Sequence, residues 1–289
     1  MPTAFVLAGG ASLGAIEAGM LEALYERAIR PDIVVGSSAG ALNAAFIAAN
    51  PPDVDAAHRL QQVWRSTTRQ VVFPFSPRVL LRALLGRSNH LFSNVGVRRM
   101  IEQELSGVTT LEAARVKLGI VGTDLLDGDE KLLESGPAVP ALLASSAIPG
   151  VFAPVKIDGR PYVDGGVADN TPITQALALG ADTIYVLPTG VSAHLQRPPR
   201  RALEMSVHAF NLLLHARLRQ EIRSLRDRAK LIVLPPPWPL DVLPTDFSRA
   251  DDLIQSGLQN AREALADEEP AGAPTDRAIA RLESPTTRP

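Results

Sequence analysis

Cysteine is absent from this chain. Its absence excludes disulfides, a thiolate metal site and a cysteine nucleophile; it leaves the compartment open, although a cytoplasmic protein fits. Lysine is nearly absent: Lys117, Lys131, Lys156 and Lys230 stand alone, and arginine carries almost all the positive charge. Neither sign of charge dominates. A formal net charge of −2 over 289 residues gives no electrostatic footprint for a nucleic-acid partner. Long apolar runs are missing as well, so no segment is built to span a bilayer. The apolar opening from Met1 to Gly10 lacks the basic leader of a signal peptide, and glycines and Glu17 interrupt it. These absences point to a soluble protein, at most peripheral to a membrane.

What is present suits one large α/β domain or two small ones. Ala4 to Leu7 reads as a strand. It enters Gly9-Gly10-Ala11-Ser12-Leu13-Gly14 and then a helix that runs to about Ile29, before Pro31. Ile33 to Val35 is β-branched and reads as a buried strand, and an Ala-rich helix follows. Strand, helix, strand, helix is the start of a parallel sheet. Residues 51 to 106 read as helices and loops. Within them Val72 to Pro77 is a break, followed by Leu80, Leu81, Leu84 and Leu85. Those leucines fit an ordinary core helix after a proline turn; the alternative is a pocket lining or a lid. Lys117 to Thr123 and Lys131 to Leu133 make a hairpin around Asp127-Gly128-Asp129, read as a turn and not a calcium loop. A helix over Pro140 to Ala147 precedes a second hairpin, Val155 to Ile157 with Tyr162 to Val163. Thr171 reads as an N-cap with Pro172 at the first helical position. Thr183 to Leu187 is a strand, Leu203 to Leu225 a helix, Leu231 to Leu234 a strand and Ala250 to Ala266 an amphipathic helix. From about Asp267 the composition is that of a disordered tail.

Gly36-Ser37-Ser38-Ala39-Gly40 has the form G-x-S-x-G between a strand and a helix. A serine on such a turn points its hydroxyl outward at the positive end of the helix dipole, which makes Ser38 the candidate nucleophile. Gly36 and Gly40 tolerate strained dihedrals and leave no Cβ to crowd the turn. The plain alternative is a tight turn with a capping serine. The earlier Gly-rich turn lacks the second glycine of a dinucleotide fingerprint and the acidic residue that holds a ribose. It fits a set of free backbone N–H groups for developing negative charge, or close helix–strand packing. For a base, Asp164 follows a strand and precedes Gly165 and Gly166, which allow close approach. Asp169, before the expected N-cap, is the rival, and an ordinary Asp-Gly turn is the bland reading. None of His58, His90, His194, His208 and His215 lies at a strand end in a Gly-rich turn. Arg201, Arg219, Arg223 and Arg226 fall off the apolar stripe of the long helix; they are a solvated face or an approach to anionic lipid.

Three separated motifs, Gly9 to Gly14, Gly36 to Gly40 and Asp164-Gly165-Gly166, resemble those of patatin-like lipid acyl hydrolases in order and spacing. So does Ala144 to Phe152 before the D-G-G turn. The resemblance spans roughly residues 4 to 190. It implies a three-layer α/β fold with a central, mainly parallel sheet flanked by helices, and hydrolysis of lipid acyl esters with no cofactor and no metal. It implies Ser38 and Asp164 as a catalytic dyad, with an oxyanion hole from Gly9, Gly10, Ala11 and Ser12. Gly14, Gly36, Gly40, Gly165 and Gly166 are the further motif residues. Ala11 replaces the family's third glycine and Leu13 its arginine. Residues 1–190 are then a catalytic core, 191–267 its completion and 268–289 a tail. The expected partner is a lipid or acyl-ester substrate, with peripheral membrane contact. A soluble ester or thioester substrate, or a non-catalytic lipid binder, are the alternatives.

Overall fold

The computed structural model describes residues 1–105, 108–190, 200, 202–225, 227–237, 240 and 242–266. The strands are β1 (Thr3–Leu7), β2 (Ile33–Ser37), β3 (Lys117–Asp124), β4 (Glu130–Leu133), β5 (Val155–Ile157), β6 (Arg160–Asp164), β7 (Thr183–Leu187) and β8 (Lys230–Val233). The helices are α1 (Ala15–Glu26), α2 (Ala39–Ala49), α3 (Val54–Ser66), α4 (Arg69–Val72), α5 (Pro77–Leu84), α6 (Val95–Glu104), α7 (Ala138–Ser145), α8 (Ile173–Ala178), α9 (Ala202–Leu225) and α10 (Ala250–Ala266). The strands form one sheet in the order β5-β6-β3-β2-β1-β7-β8, with β4 also on β3. β3, β2, β1, β7 and β8 run parallel, whereas β4 and β6 pair antiparallel with β3.

Strand alternation divides the core in two. Phe5, Leu7, Val34, Tyr185 and Leu187 face one cluster, with α1, α2, α3 and α10. Ala4, Val6, Val35, Ile184 and Val186 face the other, with α8 and the end of α9. Helix, sheet and helix are therefore three layers. α1 and α10 touch backbone to backbone. A Cβ on Gly19 would lie 2.1 Å from the Ile254 carbonyl oxygen, and one on Gly257 2.3 Å from that of Ile16. Arg262 Nε donates to Glu26 at 2.8 Å, and Arg27 Nη1 to the Leu265 carbonyl at 2.6 Å, across the same pair.

Two sequence expectations change. Thr171 does not cap α8. Pro172 occupies that position at ψ 68°, without a side-chain cap, and the Thr171 N–H donates to Asp169 Oδ1 at 3.2 Å. The helix after the proline turn is not core on its outer side: Leu81 and Leu85 are each 58% exposed, while the side chains of Leu80 and Leu84 lie outside those described. Of the arginine face read on the long helix, Arg201 and Arg226 lie outside the described residues. Arg219 is half-buried and Arg223 is exposed. His194 and the tail also lie outside. Among the described residues no helix is long and apolar enough to cross a membrane.

Candidate active site

β2 ends at Ser37 and α2 starts at Ala39, so Ser38 takes the whole turn between them. Its φ of 53° and ψ of −121° lie in a region that side-chain-bearing residues avoid, at a cost of about 1–3 kcal/mol. The motif glycines serve a different purpose from the one expected. None has a left-handed φ; Ser38 and Ala11 (φ 51°) carry that strain themselves. Gly36 and Gly40 are required by close approach. A Cβ on either would lie 2.3 Å from a carbonyl oxygen, that of Gly40 or Leu7 respectively.

The sheet register brings the carboxylate in. β3 lies beside β2 with Val121 opposite Ser37, and β6 lies beside β3 with Asp164 opposite Gly122. Ser38 Oγ donates to Asp164 Oδ2 at 2.6 Å. The other carboxylate oxygen accepts the Gly166 N–H at 2.8 Å, and the Asp164 carbonyl accepts from Thr123 Oγ1 at 2.8 Å. Ser38 and Asp164 are 7% and 6% exposed. Burial pushes the Asp164 carboxyl up to about 6, held back by its bonds from Ser38 and Gly166. Asp169, also buried, makes no hydrogen bond to Ser38; its carboxylate accepts the Thr171 N–H. Burial and then the charge of Glu221 push it up to about 7.

Ser145 completes the seat. The Ser38 N–H donates to Ser145 Oγ at 2.9 Å, which donates to the Val121 carbonyl at 2.5 Å. Sequence reasoning gave Ser145 no role, although it stands in the Ala144 to Phe152 segment. Asn170 and Thr189 were missed entirely, and both grip the Gly-rich turn. The Gly9 carbonyl accepts from Thr189 Oγ1 at 2.7 Å and Asn170 Nδ2 at 3.2 Å, and the Gly9 N–H donates to the Asn170 carbonyl at 3.0 Å. A Cβ on Gly9 would lie 3.1 Å from that of Ser38, so this turn borders the elbow. The Ser12 N–H is also engaged, on the Pro244 carbonyl at 3.1 Å. The expected donor set thus contracts: among the described residues the N–H groups of Gly10 and Ala11 have no partner. Leu13 is buried in the core.

Among the described residues no histidine bonds to Ser38 or Asp164. His58 faces Glu22 at 3.4 Å, and His90 Nδ1 meets Ser88 and Asn89. Ser38 opens on a cleft with about 80 Å3 of free space. Its walls are apolar and include Phe46, Val63, Phe73, Met100, Phe152 and Phe247. Phe73 is the hub, stacked on Phe152 at 5.7 Å and against Phe247 at 6.1 Å.

A family model described as patatin-like phospholipase matches residues 5–177, which contain Ser38, Asp164 and the Gly-rich turn. The chain belongs to the patatin-like phospholipase family. Within this family its relatives include an uncharacterized NTE family protein of Mycobacterium tuberculosis. The two are 31% identical over 207 residues, covering 71% of this chain and 53% of the relative. Lysophospholipase NTE1 of Saccharomyces cerevisiae is 26% identical over 192 residues, covering 64% of this chain and 10% of its own. The chain therefore spans about half the length, or less, of these relatives. Among solved structures, two of human GIVD cytosolic phospholipase A2 align at TM-scores of 0.47–0.48 and 11–13% identity over 97–98% of this chain and 59–63% of their own. VipD from Legionella pneumophila aligns at 0.47 and 15%, over 92% of this chain and 67% of its own. The patatin-like match ends within α8, so β7, α9, β8 and α10 lie beyond it.

Proposed function

We propose that this protein is a serine lipid acyl hydrolase working through Ser38 and Asp164. The observation that carries the reading is a strained serine bonded to a buried carboxylate at 2.6 Å, open to an apolar cleft. The Asp164 carboxylate takes the Ser38 proton as Oγ attacks the acyl carbonyl of an ester. The carbonyl π pair moves onto oxygen, where the Gly10 and Ala11 N–H groups meet it. On collapse, Asp164 returns the proton to the departing alkoxide and an acyl-serine remains. Water repeats the sequence: it gives a proton to Asp164, attacks the acyl carbon, and releases a fatty acid as Ser38 regains its proton. The cleft takes the acyl chain, and a lysophospholipase among the relatives favours a phospholipid-type ester.

Ser38→Ala is expected to abolish hydrolysis of lysophosphatidylcholine and of a soluble p-nitrophenyl ester, and to block fluorophosphonate labelling. Ser37→Ala is expected to keep most of both. A folded Ser38→Ala protein with near-full turnover would overturn the proposal.

A further inference from the structure

Between Asp55 and Glu102 the chain has eight arginines and no aspartate or glutamate. Arg69, Arg78, Arg82, Arg87 and Arg99 are exposed there, with no acidic partner among the described residues. Within the stretch Arg65 reaches Asp251 and Arg98 reaches Glu102, and several arginines elsewhere are paired: Arg160 with Asp124 and Asp127, Arg262 with Glu22 and Glu26, Arg217 with Glu130. The acid-free stretch also leaves apolar side chains in water, as the molecule does at Leu126, Leu213 and Leu243, but here they stand among arginines with no carboxylate between. Phe75 is 75% exposed, and Leu81 and Leu85 are 58% exposed each. At 100° per residue, Arg78, Leu81, Arg82 and Leu85 fall within an arc of about 100° on α5 and its last turn.

The segment is held at both ends. Phe73 sits in the wall of the Ser38 cleft. At the other end the Leu91 N–H bonds the Gly150 carbonyl at 3.0 Å, and that of Phe92 bonds Val151 at 2.9 Å. Between these anchors it presents leucines and unpaired arginines together. Neither a buried core nor bulk water suits that mixture. A lipid headgroup boundary suits both halves, with apolar groups entering the acyl region and guanidinium groups meeting phosphate.

We propose that α5 and its flanking loops, from Arg69 to Leu91, dock on an anionic lipid bilayer. The occupant follows from charge complementarity, because a segment without a carboxylate is attracted to anionic lipid at several points and repelled at none. Val72 and Phe73 belong to the same segment and line the cleft, so docking sets the cleft's rim at the interface. The inference rests on the lipid hydrolase reading for its purpose, whereas binding itself requires no catalysis.

The test uses the full chain carrying Ser38→Ala, so that vesicles stay intact, and measures flotation with phosphatidylcholine vesicles with and without phosphatidylglycerol. Binding is expected only with phosphatidylglycerol, and should weaken as salt is added. Arg78→Glu/Arg82→Glu/Arg87→Glu is expected to lower partitioning more than about tenfold. Leu81→Ser/Leu85→Ser should lower it even at low salt, and Arg223→Glu on α9 should not. With Ser38 intact, both α5 variants should retain turnover of a soluble short-chain ester. Equal binding to neutral vesicles, or undiminished binding by the arginine variant, would overturn the proposal. So would a solution dimer that fails to bind vesicles and that Leu81→Ser/Leu85→Ser dissociates, since the face would then belong to a second copy. Vesicle binding by a wild-type chain that hydrolyses no ester sinks the hydrolase reading and leaves this one standing. Ester hydrolysis without vesicle binding does the reverse.

Discussion

At Asp164 burial and hydrogen bonding act against each other, and the balance sets a pH response. Its carboxyl lies near 6 in the fold, above the ordinary value. As the base, it must be ionised, so kcat/KM is expected to rise with pH through about 6, measured on a soluble ester. Stability runs the other way. A raised acid holds its proton longer in the folded chain than in the unfolded one, so stability falls as pH rises from the unfolded value towards the folded one. Asp169, near 7, extends that fall. The thermal midpoint should therefore drop from about pH 4 to 7 while activity climbs. Asp169→Asn should flatten the upper part of that slope; an unchanged slope would contradict the account. Asp164→Asn should cost roughly a hundredfold or more in turnover, whereas Gln at each histidine should leave most of it. One histidine variant that eliminates turnover in a folded protein, with Asp164→Asn active, would restore a triad. Ser38 and Asp164 were legible because each stands in a short local pattern. Ser145, Asn170 and Thr189 were not, because they reach their partners across 107, 161 and 180 residues, and isolated polar residues carry no mark of such a contact.

Among the elements, strand and helix positions followed closely from alternation and helical spacing, because burial on one face writes its period into the chain. What covers an apolar face is not written there. The leucines of α5 have the spacing of a core helix, and nothing local says that the outer ones meet no partner. The glycines teach the same lesson. Their sequence pattern marks the elbow correctly, but the reason lies in neighbours that only the packed sheet supplies. This separates two kinds of glycine experimentally. Gly40→Ala drives a Cβ against the Leu7 backbone at 2.3 Å, where no side chain can yield. It is expected to cost about 3 kcal/mol or more. Gly128, at φ 79° with open space around it, needs only its dihedral. Gly128→Ala should cost about 1–2 kcal/mol. Denaturant midpoints compare them; equal losses would remove the close-approach argument.

Across the whole molecule, the layered α/β class was readable from the alternation of strands with helices, but the strand order was not. Placing β6 antiparallel beside β3 depends on pairing between distant segments, and that pairing is what carries Asp164 to Ser38. The contact of α1 with α10 is still more distant, and it bears on how the chain is made. During synthesis α1 emerges early, yet the helix that fits against Gly19 follows more than two hundred residues later. At ribosomal speeds that is a wait on the order of tens of seconds. Through it the nascent polypeptide carries an uncovered helix face that invites chaperones or self-association. A chain stopped before Ala250 should remain in that condition and be recovered insoluble; a soluble product with native circular dichroism would contradict this. On this account α10 is expected to act as the clasp that ends the vulnerable phase of biogenesis, and mutations at Gly257 should lower yield in cells by prolonging that phase.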